Sequence, residues 1–266
     1  MNDPVTDAVT DTVLAALVAA VVAGLGGLLV PALIARVPEP APREPQAAKE
    51  PEADQPLAMP VADPGADEPP KMLYAAIASR PGLAWRSAVV SALAAALVGA
   101  ATGLDWPLLW LVPLTPVAVA LSVIDWHTRL LPRVVVVPAT LAAVVVVTAV
   151  GLATGERDAL VRALVAMVLA RSFFWVLWFI RSAGMGFGDV RLAAPIGLVL
   201  GWTGWGALAI GLWASFMLFV LPALVVLLAR RDRSLLKRSF PFGPFMVGGA
   251  LVGLVWGTAL SARIWG

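Results

Sequence analysis

Apolar residues gather in eight long blocks, at about 13–35, 85–104, 106–124, 134–153, 159–180, 191–204, 206–229 and 242–262. A transmembrane helix needs about 20 such residues, and seven of the blocks meet or approach that length. The sixth is shorter and is bounded by Gly201 and Gly204. The pattern predicts an all-α, polytopic integral membrane protein with about eight transmembrane helices.

Polar intervals between blocks are brief, with one exception. Residues 37–71 hold ten prolines and eight acidic residues against three basic ones. Such a stretch cannot bury a core, and it reads as a disordered Pro/acidic cytoplasmic linker. It divides the chain into an N-terminal transmembrane helix (1–36) and a membrane-embedded domain (72–266). The leading segment MNDPVTDAVTD carries Asp3, Asp7 and Asp11 and no basic residue, the opposite of a signal peptide's basic start. The first block is therefore expected to be a retained span with its N-terminus outside.

Composition supports a membrane protein, since 60% of the residues are hydrophobic and only 14% charged, against about 25% charged in soluble domains. The net charge of +2 is small, which gives no support for nucleic-acid binding. The distribution of charge says more. With the N-terminus outside, 15 of the 19 Lys and Arg residues fall in cytoplasmic segments, as the positive-inside rule requires of eight spans. Trp85, Trp106, Trp126, Trp202, Trp205 and Trp265 lie near span ends, where interface aromatics belong. This places the chain in the cell (inner) membrane as a multi-pass protein.

The chain has no cysteine and one histidine, His127. Disulfides, thiolate metal sites, Cys nucleophiles and His-built metal clusters are excluded, and no cofactor or metal is expected. Elimination among the 17 acidic residues leaves two candidates. Three lie in the outer tail, eight in the linker, three (Asp105, Glu156, Asp158) in outer turns, and Asp232 in a basic loop. Asp125 and Asp189 remain, each joining an apolar span to a short cytoplasmic loop. Both face the same side of the membrane, and ionisable residues so placed are functional candidates.

Two carboxylates around one water form an aspartic dyad. One proton is shared, the ionised member deprotonates water, and the protonated member polarises a carbonyl. Asp189 is expected to be the N-cap of the sixth helix, at its positive end, which favours ionisation and the role of base. Asp125 ends the third span, at its negative end, which favours protonation and the role of acid. In GMGFGDVRL (184–192), Gly186 and Gly188 are expected to adopt backbone angles closed to other residues and to let a substrate strand approach. Pro132, seven residues after Asp125, is expected to set the start of the fourth helix. The prolines and Gly243 of PFGPFM (241–246) suggest a bent or re-entrant start to the last span.

Taken singly, these residues have plainer readings. Asp189 fits a simple helix cap, and Asp125 fits an i,i+4 pair with Arg129. His127 fits an interfacial polar residue better than a base. Arg171, in mid-span, fits a polar cavity, a snorkelling side chain or a carboxylate partner. Gly249, Gly253 and Gly257 repeat at i+4 and read as helix packing.

The segments IDWHTRLLP (124–132), GMGFGDVRLAAPIG (184–197) and PFGPFM (241–246) together resemble the type IV prepilin peptidase family of aspartic membrane proteases, in order and spacing, from about residue 85 to 262. The resemblance implies cytoplasmic-side cleavage of the basic leader of a prepilin or pseudopilin, with Asp125 and Asp189 as the catalytic aspartates. One departure stands out. Many relatives carry paired CxxC motifs in the first cytoplasmic loop and N-methylate the new pilin terminus, whereas this chain has a Pro/acidic segment and no cysteine there. A peptidase without methyltransferase activity is therefore expected. Two other readings compete: a presenilin-type intramembrane protease, which also uses GxGD, and an ion-coupled transporter using the two aspartates as ion sites.

Overall fold

The structure is a computed structural model that describes residues 4–39, 72–180, 185–230 and 241–265. The chain order is α1 (Pro4–Leu28), α2 (Val30–Ala35), α3 (Tyr74–Ala78), α4 (Leu83–Thr102), α5 (Leu108–Thr128), α6 (Arg133–Ala153), α7 (Arg157–Ile180), α8 (Phe187–Thr203), α9 (Trp205–Arg230) and α10 (Gly243–Trp265). The described residues form an all-α protein. Seven of its helices are long and apolar enough to cross a membrane. The expected linker lies, from residue 40 onward, outside the described residues, as does most of the basic stretch after α9.

The sixth expected span, the one not among those seven, is α8, a helix of only 17 residues, about 25 Å at 1.5 Å per residue. Its brevity follows from its place. Val190, Ala193, Leu198 and Leu200 are wholly buried, so α8 is surrounded by protein rather than lipid. The outer helices turn large apolar side chains outward instead, among them Val145, Phe179 and Ile180. Hydrocarbon solvates those side chains, so their exposure costs nothing in a bilayer.

Small residues set the close helix approaches. A Cβ on Gly253 would lie 2.6 Å from the Ala207 carbonyl oxygen, and one on Gly257 would lie 2.6 Å from Ala207 Cα. The glycine repeat of the last span is thus the seam between α9 and α10. The same device joins α7 to α8 at Gly197, whose Cβ would meet the Ala166 carbonyl oxygen at 2.6 Å. It also joins α1 to α4, where a Cβ on Gly27 would sit 2.6 Å from Ala88 Cα. Without a hydrophobic force between helices in lipid, such backbone proximity supplies the packing.

Two features lie beyond the apolar pattern. The first block breaks at Leu29 into α1 and α2, and α1 reaches back to Pro4, well before the expected start. The short helix α3 exists because the Glu39 carboxylate caps it. Its oxygens accept the Tyr74 and Ala75 N–H groups at 3.0 and 2.9 Å, two of the donors that a helix start leaves unpaired.

Candidate active site

Asp125 lies on the last turn of α5. That helix stops because Arg129 takes a left-handed conformation (φ 53°) while donating its N–H to the Asp125 carbonyl at 2.8 Å. Thr128 closes the same turn by donating its hydroxyl to the Ile124 carbonyl. The chain then runs extended to Pro132, the N-cap of α6 (φ −65°, ψ 122°). Pro132 therefore sets the start of the fourth span from the capping position.

Asp189 lies on the first turn of α8, but as the third helical residue and not as the N-cap. The N-cap is Gly186, in an extended conformation (φ −74°, ψ 147°). The Asp189 carboxylate reaches back to accept the Gly186 N–H at 3.2 Å, and the Asp189 N–H donates to the Gly186 carbonyl at 3.1 Å. The acid of GxGD thus closes its own loop in the manner of a capping box. Trp178 packs edge-on against Phe187 at 5.1 Å, and the Arg191 guanidinium sits over the other side of that turn, 4.9 Å from the Phe187 ring.

Gly243 supplies the third part. Its N–H donates to Asp125 Oδ2 at 2.9 Å, a bond between residues 118 positions apart. Pro241 and Phe242 are not helical, and α10 begins at Gly243. A Cβ there would fall 2.8 Å from Asp125 Oδ2, so only glycine brings this N–H so close to the carboxylate. Aromatic packing fixes the turn. The Phe242 ring lies 5.4 Å from that of Phe216, 5.3 Å from that of Phe219 and 6.0 Å from that of Phe174.

The two carboxylates are brought together. Asp125 is 4% exposed and Asp189 6%, and they are close enough for the charge on Asp125 to act on Asp189. Each accepts a backbone N–H from a helix start, α10 for Asp125 and α8 for Asp189. The expected electrostatic contrast between them is therefore removed. Asp125 does end its own helix, but its carboxylate also meets the positive end of another. Assigning base and acid from helix ends no longer holds.

Gly188 acts through space rather than conformation. Neither Gly186 nor Gly188 has a positive φ. A Cβ on Gly188 would meet Leu131 Cβ at 2.8 Å, so this glycine lets the α5–α6 loop lie against α8. At Gly186 the nearest atoms among the described residues would be 3.8 Å away, an ordinary contact. Sequence reasoning missed Leu131, Phe242 and Trp178. The aromatic flanks of PFGPFM were the available signal for Phe242.

His127 is engaged away from the carboxylates. Its Nδ1 donates to the Val123 carbonyl at 2.8 Å, which leaves Nε2 to accept from the Arg80 guanidinium. Arg171 is exposed on the outside of α7, which eliminates the interior cavity among its three readings. Among the described residues, no group of three His, Asp or Glu side chains comes together. An apolar cavity of about 620 Å³ lies beside the site, bounded by Trp126, His127, Leu192 and Pro244; neither carboxylate lines it.

The sequence model of the type IV leader peptidase family matches residues 112–229, a span that includes both aspartates. The chain is 31% identical over 153 residues to the prepilin leader peptidase/N-methyltransferase of Pseudomonas putida, covering 57% of this chain and 51% of the relative. It is 28% identical over 174 residues to the enzyme of that name in Aeromonas hydrophila, covering 65% and 58%. For that of Burkholderia pseudomallei (strain 1026b) the figures are 32% over 141 residues, 52% and 43%. The chain thus spans about half the length of the curated relatives it matches. No solved structure matches it. These comparisons bear out the resemblance read from the three motifs.

Proposed function

We propose that this chain, whose residues 112–229 match the type IV leader peptidase family, is an aspartic endopeptidase that removes the basic leader of a prepilin or pseudopilin at the cytoplasmic face of the inner membrane. The observation that carries this reading is the burial of two carboxylates, on the last turn of α5 and the first turn of α8, with the charge on Asp125 acting on Asp189 and each carboxylate held by one helix-start N–H. Two like charges in one dry site resist joint ionisation, so the pair holds one proton. In this reading the N–H orients the bound oxygen of each carboxylate, and the second oxygen serves a water held between the two.

In the forward step, the ionised aspartate takes a proton from water as the water oxygen attacks the scissile carbonyl. The protonated aspartate donates to the carbonyl oxygen. Collapse of the tetrahedral intermediate returns that proton and expels the amine, which takes the proton won from water. The pair thereby regains its single proton. The even capping of Asp125 and Asp189 fits a dyad whose roles are set by the bound peptide, and it titrates as a unit.

The basic residues support an orientation with the N-terminus outside and the site at the cytoplasmic face. A substrate with a basic leader followed by an apolar helix is retained on that face by the same rule. The chain divides in this reading into an N-terminal span, a Pro/acidic linker over 37–71 and the peptidase domain. Because no cysteine is available for the paired CxxC motifs of many relatives, the activity proposed is peptidase without N-methyltransferase.

Co-expression with a prepilin tests this. The wild type should trim the leader, and Asp125→Asn and Asp189→Asn should each abolish trimming while the protein remains inserted. Trimming that persists in either variant overturns the dyad. Cleavage mapped within the substrate's apolar helix would favour a presenilin-type protease, and ion-coupled uptake without proteolysis would favour a transporter.

A further inference from the structure

The cavity beside the carboxylates has a chemistry of its own. Its walls come mainly from α4, α5, α8 and α10, and its body is apolar, with Val90, Ala94, Leu114, Ala118 and Leu254 among the lining residues. Among the described residues, the ionisable side chains on it are Arg80, Arg86 and His127, and no carboxylate lines it. Arg80 and Arg86 flank the start of α4, and His127 lies on the last turn of α5, so the basic groups collect at the end of the cavity nearest the candidate site. Arg80 is tied to this mouth, one guanidinium nitrogen meeting His127 Nε2 and the other Met72 Sδ at 3.4 Å. Arg86 is exposed beside it.

A cationic rim above an apolar slot complements an anionic amphiphile. Basic pockets between transmembrane helices bind acidic lipid head groups for this reason. We propose that the cavity is a binding site for one anionic phospholipid of the bilayer, its phosphate on Arg80 and Arg86 and an acyl chain along α5 between α4 and α10. Two observations favour this occupant over a segment of the peptide substrate. Neither aspartate lines the cavity, so a bond lying in it would not be presented to them. A rim of arginines also repels a basic leader. The occupant would touch Trp126 and His127, which directly follow Asp125, and Pro244, which directly follows Gly243. A lipid in this place therefore braces the two helix ends that hold Asp125.

Native mass spectrometry of the full-length protein tests the site. The protein is released from mixed micelles holding equal phosphatidylglycerol and phosphatidylcholine with identical acyl chains. The wild type should retain one phosphatidylglycerol in preference to phosphatidylcholine. Arg86→Ala should cut that preference about fivefold, and the Arg80→Ala, Arg86→Ala double variant should bring it near the phosphatidylcholine level, each cation near a membrane surface contributing about that factor. Ala118→Phe, which fills the slot, should reduce retention of both lipids. Should that variant fail to fold, a photoreactive residue at Val90 should cross-link to lipid in the otherwise unaltered protein. Equal retention of the two lipids by the wild type, or a double variant indistinguishable from it, overturns the proposal. So does a cross-link from Val90 to a substrate's apolar helix and not to lipid. None of these readouts depends on proteolysis, and the Asp189→Asn variant should retain the lipid as the wild type does.

Discussion

At Gly243 one added methyl would rest 2.8 Å from Asp125 Oδ2, whereas at Gly186 it would find its nearest neighbours 3.8 Å away. The two glycines therefore make opposite predictions. Gly243→Ala displaces a carboxylate that must be placed to within a fraction of an ångström, and leader cleavage should fall about 100-fold. On the reading that this glycine lets a substrate strand approach, Gly186→Ala should leave thermal stability unchanged and raise KM; an unchanged KM would show that the space is not used. A dyad sharing one proton further predicts a bell-shaped pH profile of cleavage. Activity falls at low pH as the base gains a proton and at high pH as the acid loses one. Each Asp→Asn variant should be inactive across the whole range. Elimination and the three motifs both pointed to Asp125 and Asp189, and both side chains are buried. What the sequence withheld was their partners. The Gly243–Asp125 bond joins positions 118 apart, and no local pattern encodes it. The GxGD pattern marked Gly188 as a place for a small residue, but not that the requirement there is space against Leu131 rather than a left-handed backbone.

The starts of α8 and α10 are the elements on which the site depends, and aromatic rings fasten both. Phe242 is 8% exposed and packs on the rings of Phe174, Phe216 and Phe219. Phe242→Ala should cost about 3–5 kcal/mol, the usual range for a buried Phe truncation. Thermal unfolding should show the loss, with cleavage reduced as the Gly243 N–H wanders. Phe242→Leu should restore most of the stability. At the far end of α8, Arg162 donates to the Gly201 and Trp202 carbonyls at 2.7 and 2.6 Å, closing a helix terminus that the short α8 would otherwise leave unpaired. The apolar blocks made most of these helices visible in advance, because length and hydropathy are all a lipid-facing helix needs. Two of the shorter helices, α3 and α8, were harder for a physical reason. The 17-residue α8 satisfies its surface with protein, and the five-residue α3 is held by the distant Glu39 rather than by any periodicity of its own.

At the scale of the whole molecule, the arrangement of spans makes a prediction that the cysteine-free chain is well suited to test. With the N-terminus outside, a single cysteine introduced at Glu156 should react with a membrane-impermeant thiol reagent in intact cells. One at Ser234 should react only after the membrane is opened. The reverse pattern would put the carboxylates on the wrong side for a leader retained in the cytoplasm. The order of helices was legible from apolar length, while the tight seams at Gly27, Gly197 and Gly257 required knowing which helices meet. The Glu39 carboxylate, gripping Tyr74 and Ala75, ties the chain together at both borders of residues 40–71. Whatever is strung between those borders must leave and return at a single doorway. Each doubling of its length then adds only about 0.6 kcal/mol of closure cost. A folded module spliced in there would hang from the membrane body without prising its helices apart, which makes this doorway a natural mounting point for added parts.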